Sequence, residues 1–181
     1  IRDITDRCMA EFSALTGRPY SRVATYACDD AEYIIVGQGS LIGTAEAVAD
    51  YLRETRKIKV GVVNMTMFRP FPADLIGGIL KGRKGVTVLE RTDQPLAGDL
   101  PLMREIRATL TKCLENGHGQ NGSKDKPYPN LAVYKSVSDM PPMYSGCYGL
   151  GSRDLQPEGV VGAVENMIKG GEHRKFFYLS V

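Results

Sequence analysis

The segment of residues 60–90 places the strongest constraint on the fold of this chain. It contains two short apolar runs, at residues 60–63 and 86–89, separated by a proline-rich turn and an apolar helix pattern that begins near Pro72. Continuous runs of β-branched residues are typical of strands that are buried on both faces. A strand, a turn, a helix and a second strand make one βαβ unit, which predicts a parallel sheet.

Charged residues follow both of these strands at the points where they end. Pro70 restricts Arg69 to extended geometry, so we expect Arg69 to lie in a rigid turn after the first strand. Glu90 and Arg91 follow the second strand directly, and this end of an open α/β sheet is where sites and interfaces form. We predict a structural, bidentate ion pair between Arg69 and Glu90 that ties the two loops together. If that pair is buried, Arg69→Ala costs about 1–3 kcal/mol of stability.

The composition is that of a soluble globular protein. The 181 residues are 43% apolar and 24% charged, with a net charge of +2, which suits one domain with a full core rather than two. Basic residues are dispersed among acidic ones, and the longest basic group, at residues 81–84, is typical of a solvated turn. No apolar run approaches the roughly 20 residues that span a bilayer. We therefore expect neither a nucleic acid nor a membrane as a partner.

The cysteines and histidines of this chain do not form a metal-binding pattern. Cys8, Cys28, Cys113 and Cys147 are far apart, without a CxxC pair, and neither histidine lies near them. Metal and iron–sulfur sites use closely spaced ligands, so we expect no metal or cofactor site within this chain. Isolated cysteines mostly act as small apolar residues and indicate a reducing compartment, which favours a cytoplasmic location.

Apolar periodicity and turn residues predict the remaining elements. Helices are predicted at residues 3–15, 45–56, 73–80, 101–115 and 157–170, and further strands at residues 32–36, 130–135 and 175–181. Residues 21–30 are expected to be irregular, residues 140–154 to form an apolar loop, and residues 116–129 to form a mobile surface loop. The alternation predicts a single three-layer α/β domain, with a mainly parallel sheet of about five strands and helices on both faces. We expect residues 1–181 to be one domain of a much longer chain.

A glycine-rich turn leaves a second function open. Residues 37–44 follow a predicted strand and place glycines at positions 37, 39 and 43, one residue longer than the dinucleotide-binding fingerprint. The expected ribose-binding acid is either absent or replaced by Asn64, and glycines are also explained by a sharp turn into a helix. A stand-alone nucleotide- or phosphate-binding module therefore remains the alternative, and a regulatory module that binds small molecules near Arg69 is a third hypothesis.

Three motifs, in order and spacing, carry a more specific resemblance. They are Met67-Phe68-Arg69-Pro70-Phe71, then Val88-Leu89-Glu90-Arg91-Thr92 with Gln94-Pro95-Leu96-Ala97-Gly98, and then Tyr148-Gly149-Leu150-Gly151-Ser152-Arg153-Asp154-Leu155-Gln156-Pro157. These motifs resemble the second domain of pyruvate:ferredoxin oxidoreductase, in the 2-oxoacid:acceptor oxidoreductase family. Residues 15–20 and 173–177 resemble the boundaries of that domain. The resemblance covers nearly the whole chain and implies a transketolase C-terminal-like fold.

The resemblance also implies a function for the larger enzyme. Such enzymes use thiamine diphosphate and Mg²⁺ to convert a 2-oxoacid, commonly pyruvate, and coenzyme A to acyl-CoA and CO2. They pass electrons through 4Fe–4S clusters to ferredoxin or flavodoxin, often as homodimers, and other domains bind these groups. The implied role of this chain is a non-catalytic module that contacts neighbouring domains. The residues expected to make those contacts are Arg69, Pro70, Phe71, Glu90, Arg91, Thr92, Tyr148, Gly149, Gly151, Ser152 and Arg153.

Overall fold

The computed structural model describes residues 1–118 and 126–180. Within them, helices and strands alternate around one sheet, so the predicted three-layer α/β fold is confirmed. The helices are α1 (Arg2–Thr16), α2 (Leu41–Arg56), α3 (Ala73–Leu80), α4 (Pro101–His118) and α5 (Pro157–Glu165). The strands are β1 (Val23–Tyr26), β2 (Tyr33–Gly37), β3 (Val60–Met65), β4 (Gly85–Glu90), β5 (Met143–Tyr148) and β6 (Phe176–Leu179).

The sheet is parallel except at one edge. Its strand order is β1-β3-β2-β4-β5-β6, and β1 runs antiparallel to β3 while the other neighbouring strands run parallel. The described residues thus form six strands, close to the expected number of about five. None of the helices in residues 1–118 and 126–180 combines the length and hydropathy that a bilayer crossing requires.

Two apolar layers enclose the sheet. On one face, α3 and α4 pack on alternate strand residues such as Val36 and Val88. On the other face, α2 and α5 pack on residues such as Ile35 and Leu89. Because side chains alternate between faces along a strand, strands covered on both sides have continuous apolar sequences. This burial explains the two apolar runs of the βαβ unit.

Three segments differ from the sequence-based expectations. Residues 21–30, expected to be irregular, contain β1, a short edge strand whose residues are mostly not buried and which therefore lacks an apolar run. Residues 140–154, expected to form a loop, contain β5, whose residues are all buried. Residues 130–135, expected to form a strand, pair with no strand in the described part of the chain. Tyr134 instead anchors this segment under α3, because its buried hydroxyl donates to the carbonyl of Gly77 at 2.7 Å.

The end of α4 also differs from expectation. The helix continues to His118, three residues beyond the predicted end. Two other helices also differ in their bounds: α2 begins at Leu41 rather than at residue 45, and α5 ends at Glu165 rather than near residue 170. Asn116, expected in the loop, lies within α4, and its buried side-chain amide donates to the backbone carbonyl of Tyr128 at 2.9 Å. Of the loop predicted at residues 116–129, residues 119–125 lie outside the described residues, and its mobility stays a prediction.

Candidate functional site

The carboxyl ends of the central strands border a cleft of about 350 Å³, which we call the carboxyl-edge cleft. Strands β2 and β4 are neighbours, but β3 lies on the far side of β2 and β5 on the far side of β4. This arrangement makes a topological switch point, which is where ligands bind in open α/β sheets. The walls come from the loops after the strands and from the start of α4: Gln38, Gly39, Ser40, Phe68, Leu89, Glu90, Arg91, Thr92, Pro101 and Tyr148.

Glu90, at the end of β4, binds the first turn of α4. Its Oε1 accepts a hydrogen bond from the Leu102 N–H at 2.6 Å, and its Oε2 accepts one from the Met103 N–H at 3.1 Å. Burial raises the pKa of the Glu90 carboxyl, and the two backbone donors oppose that rise. Glu90 therefore caps donors that a helix N-terminus otherwise leaves unpaired, and it lies at the positive end of the helix dipole.

The predicted ion pair between Arg69 and Glu90 is wrong. Strands β3 and β4 are not adjacent, because β2 lies between them. Arg69 is exposed, and its Nη2 lies 2.8 Å from Oε1 of Glu105 on α4. Its guanidinium carbon also lies 4.2 Å from the ring centre of Phe68. Arg69 and Glu90 both contact α4, but at different points on that helix.

Arg91 ties the end of β4 to the loop after β5. Its Nε donates to the carbonyl of Gly149 at 3.2 Å, and its Nη2 donates to the carbonyl of Arg153 at 3.4 Å. Gly149 has a φ of +67°, and a Cβ there would lie 2.9 Å from both Arg91 Nε and the Arg153 oxygen. Gly151 and Ser152 also have positive φ values, 65° and 63°. Glycine at position 149 is therefore required both by its backbone conformation and by the close approach of Arg91.

Thr92 and Tyr148 complete the inner wall of the cleft. The Thr92 carbonyl accepts a hydrogen bond from the Cys147 thiol at 3.0 Å, and burial raises the pKa of that thiol. Tyr148 is buried in the layer formed by α2 and α5, where burial raises the pKa of its hydroxyl. Both Cys147 and Tyr148 therefore remain protonated and act as packing residues.

The predicted site residues fall into three groups around the carboxyl-edge cleft. Glu90, Arg91, Thr92 and Tyr148 line it. Arg69, Pro70 and Phe71 lie on one flank, where the Phe71 ring packs edge-on against Phe68 with ring centres 6.4 Å apart. Gly149, Gly151, Ser152 and Arg153 form the other flank. The structure thus brings one group together in the cleft and places the other two beside it.

Two of the three glycines in the glycine-rich turn of residues 37–44 have structural explanations. A Cβ on Gly37 would lie 2.6 Å from the side chain of Leu41, so this glycine allows the strand to pack closely against α2. Gly39 has a φ of +78°, which L-residues with a side chain rarely adopt. Ser40 is the N-cap residue of α2 but makes no capping hydrogen bond through its side chain. These contacts account for Gly37 and Gly39 without a nucleotide.

Sequence reasoning missed Arg22, which joins α1 to the rest of the domain. Its guanidinium bonds the carboxylate of Asp6 on α1 at 2.7 and 3.1 Å, and that of Asp74 on α3 at 2.9 and 2.8 Å. Arg22 is only 5% exposed, and its hydrogen bonds hold the pKa of Asp74 below the usual range. The position of Asp74 in the first turn of a predicted helix was visible in the sequence. Nothing in the sequence marks its partner, because Arg22 lies in the segment expected to be irregular.

The described residues do not fit the cofactors that the resemblance implies for the whole enzyme. Within residues 1–118 and 126–180, no three His, Cys, Asp or Glu side chains are grouped to hold a metal ion. Burial raises the pKa of Cys28, Cys113 and Cys147, whereas an iron–sulfur cluster needs thiolates. Cys8 is exposed on α1. In the described part of the chain, these cysteines are therefore not grouped as the ligands of an iron–sulfur cluster.

The fold and the site together define a three-layer α/β domain whose loops are bonded to one another at the carboxyl edge. Residues 31–127 match the family described as pyruvate:ferredoxin oxidoreductase core domain II. The chain belongs to this family, which confirms the resemblance inferred from the three motifs.

Individual relatives extend the match to most of the chain. The chain is 33% identical over 162 residues to the probable pyruvate-flavodoxin oxidoreductase of Escherichia coli K12, covering 89% of this chain and 12% of that protein. It is 32% identical over 170 residues to pyruvate synthase subunit PorA of Thermotoga maritima, covering 94% and 37%. It is 30% identical over 174 residues to the pyruvate:ferredoxin oxidoreductase of Moorella thermoacetica, covering 96% and 13%. The chain thus spans between 12% and 37% of the length of these relatives.

Proposed function

We propose that this chain is a non-catalytic interface domain of a thiamine-diphosphate-dependent 2-oxoacid oxidoreductase, with pyruvate as the substrate. The named relatives are much longer than the region they share with this chain, which supports a role as one part of a larger enzyme. That enzyme converts the 2-oxoacid and coenzyme A to acyl-CoA and CO2 and reduces ferredoxin or flavodoxin. Thiamine diphosphate, Mg²⁺, 4Fe–4S clusters and coenzyme A are bound by its other parts. We expect a cytoplasmic homodimer.

The bonding of Glu90 and Arg91 is the observation that carries this proposal. A general acid or base needs a carboxyl oxygen within reach of the substrate. Both oxygens of Glu90 are occupied by backbone donors of α4, and Arg91 uses its Nε and Nη2 on carbonyls of the β5–α5 loop. The charged groups that line the cleft therefore support the positions of its loops. A surface whose loops are ordered in advance loses little entropy on binding a neighbouring domain.

The two flanks of the cleft suit contact with another folded part of the enzyme. Phe68 and Arg69 are stacked on one flank, and aromatic and arginine side chains are enriched at protein interfaces. The exposed residues Gly151, Ser152 and Arg153 form the other flank. We therefore place the contact surface at the carboxyl edge, where the loops after β3, β4 and β5 meet.

The variant Glu90→Gln in the intact enzyme tests whether Glu90 is structural. We expect kcat for pyruvate-dependent ferredoxin reduction to stay within about two-fold of the parent value per folded enzyme, while the melting temperature falls. Glu105→Gln is the matched control, because it changes another carboxylate on α4, one that bonds Arg69 at the surface. A loss in kcat of about 100-fold or more at an unchanged melting temperature would make Glu90 a catalytic group and overturn the proposal.

Calorimetric titration of residues 1–181, produced alone, separates the proposal from the nucleotide-binding alternative. We expect no heat of binding at micromolar concentrations of thiamine diphosphate, NAD, FAD, ATP or coenzyme A, and no decarboxylation of 2-oxoacids. Micromolar binding of a nucleotide that is lost in Gly39→Val would favour a site at residues 37–44 instead. Far-UV circular dichroism of the variant serves as the control for folding.

A further inference from the structure

An apolar stripe along α1 is mostly exposed in the described part of the chain, and its one ring contact there is between Phe12 and Tyr20, whose ring centres lie 4.8 Å apart. None of the 15 residues of α1 is buried. The stripe consists of the N-cap residue Ile1 and of residues 4, 8, 12 and 15 of α1, and the exposures of its large side chains are 84% for Ile1, 57% for Ile4, 50% for Phe12 and 84% for Leu15. Cys8, at the centre of the stripe, is also exposed. At about 100° per residue, these five positions fall within about 80° of the helix circumference.

Two polar contacts attach a different side of α1 to the rest of the chain. The Arg22 Nε lies 2.7 Å from the Asp6 carboxylate, in an ion pair whose arginine side chain is almost fully buried. Near the other end of the helix, the Ser13 hydroxyl accepts a hydrogen bond from the Tyr20 N–H at 2.8 Å. Two such contacts, almost two turns apart, fix the rotation of the helix about its axis. They hold the apolar stripe away from the domain.

The size of the stripe argues for a partner. Removal of large apolar side chains from water is favourable, so the four such residues of the stripe offer a substantial gain to any surface that covers them. Monomeric proteins seldom leave a contiguous patch of this kind exposed without a function. The charges beside the stripe, on Asp3, Arg7 and Glu11, alternate in sign along one flank. Apolar contact rather than net charge is therefore the expected basis of recognition.

We propose that the stripe of Ile1, Ile4, Cys8, Phe12 and Leu15 is a docking surface for another folded part of the same polypeptide. This inference rests on the proposed function, because it requires the chain to be one part of a longer enzyme. The shared region makes up only 12% to 37% of the relatives' chains, so most of the polypeptide remains available to cover the stripe. The surface is distinct from the carboxyl-edge cleft, to which no residue of α1 contributes. The Arg22–Asp6 pair positions α1 for this contact.

Maleimide labelling of Cys8 in the intact enzyme measures whether the stripe is covered. Peptide mass spectrometry reads Cys8 separately from Cys28, Cys113 and Cys147, which are buried. We expect Cys8 in the native enzyme to react at least about 100-fold more slowly than in urea-unfolded enzyme. Ala14→Cys is the matched control, because Ala14 is exposed on the remaining, polar side of α1. Its labelling should approach the unfolded rate.

Two charge substitutions sharpen the same measurement. Phe12→Glu introduces a charge into the stripe and should speed the labelling of Cys8 in the native enzyme by about 10-fold or more, because burying an unpaired carboxylate is costly. Ala14→Glu introduces the same charge outside the stripe and should leave the labelling rate of Cys8 unchanged. Equal effects of the two substitutions would contradict the assignment of the stripe.

The outcomes distinguish this inference from the function on which it rests. If Cys8 and Ala14→Cys label equally fast in an enzyme that oxidises pyruvate, the inference is wrong and the proposed function stands. If the protection of Cys8 disappears on dilution, a second copy covers the stripe, which also overturns the inference. If Cys8 is protected in an enzyme that fails to oxidise any 2-oxoacid, the proposed function is wrong and the docking surface stands.

Discussion

Helices α1 and α4 give the same signal in the sequence but lie in opposite environments. Both carry apolar residues at three- and four-residue spacing. On α4 these residues form part of the core, and Leu102, Ile106 and Leu110 are 0% exposed. On α1, no residue is buried. The periodicity of a helix thus identifies its apolar side, but the surrounding structure decides whether that side is buried within the same chain.

The two helices are also attached by different interactions. The apolar layer above the sheet holds α4, and the Glu90 carboxylate caps its first turn. The N-cap of α1 makes no capping hydrogen bond through its side chain, and the ion pair with Arg22 connects the helix to the domain. Apolar burial depends on area, whereas the stabilisation from partly exposed ion pairs is reduced by salt. We therefore expect α1 to detach more easily than α4.

The largest effect should come from paired leucine substitutions in the two helices. Leu110→Ala on α4 creates a cavity in the core and should reduce the free energy of unfolding by about 2–5 kcal/mol. Leu15→Ala on α1 removes an exposed side chain and should change that free energy by no more than about 0.5 kcal/mol. Urea unfolding of residues 1–181 measures both variants. Equal midpoints for the two variants would abolish the contrast between the helices.

The next effect concerns the charges that hold α1, and it depends on pH. Asp74→Asn leaves the nearly buried Arg22 with one carboxylate fewer and should cost about 1–3 kcal/mol at neutral pH. The pKa of Asp74 is lowered in the folded state, so its stabilisation is fully present above the ordinary value of 3.8 and is lost as the pH falls below it. The parent and variant should therefore converge in acid.

Urea unfolding of both proteins across this pH range tests the linkage. Asp3→Asn is the control, because Asp3 is an exposed acid on α1, the helix that the Arg22 ion pairs hold. A difference between parent and Asp74→Asn that stays constant down to the most acidic pH would show that the Asp74 charge does not stabilise the fold.

A smaller effect is expected at the cap of α4. Glu90→Gln keeps the side-chain length but removes the charge that faces two backbone donors, and it should cost about 1–2 kcal/mol. Burial disfavours the charged carboxylate, as its raised pKa indicates, so part of the loss is regained in the neutral variant. Urea unfolding of residues 1–181 measures the cost, with Glu105→Gln as the control. A stability equal to that of the parent would mean that the apolar layer alone positions α4.

The smallest effect should be that of Arg69→Ala. Arg69 makes an exposed ion pair with Glu105 instead of the predicted buried pair with Glu90. Exposed ion pairs contribute little, so we expect a loss below about 1 kcal/mol that shrinks further at high salt. Urea midpoints at low and high ionic strength check this. A loss of several kcal/mol that is independent of salt would restore Arg69 as a structural tie.

The central part of the fold was predictable because its sequence signals are local. The helix predicted at residues 73–80 coincides with α3, and the flanking apolar runs lie within β3 and β4. The prediction failed where burial is set by distant segments. Strand β5 contains Ser145 and Gly146 yet is buried because α5 and α4 cover it on opposite faces. The segment of residues 130–135, which contains Tyr134, has the composition of a strand. In the described part of the chain, however, no strand pairs with it.

The candidate site was predictable in composition but not in pairing. Glu90 was correctly placed at the end of a strand, since that position follows from the apolar run before it. Its partner was assigned wrongly because the order of strands in a sheet is not the order in the chain. The bond from Arg91 to Gly149 joins residues with α4 and β5 between them in the sequence, so spacing alone provides no signal for it.

The amino-acid sequence by itself determined the α/β class, the βαβ unit at residues 60–90 and the family, because these depend on local periodicity and on motifs of adjacent residues. Only the tertiary structure decided that Glu90 caps α4, that Arg22 joins α1 to α3, and that the apolar side of α1 faces outward. Those features are contacts between residues that are distant in the sequence. The spacing of residues along the chain does not specify such contacts, because they depend on how the whole chain packs.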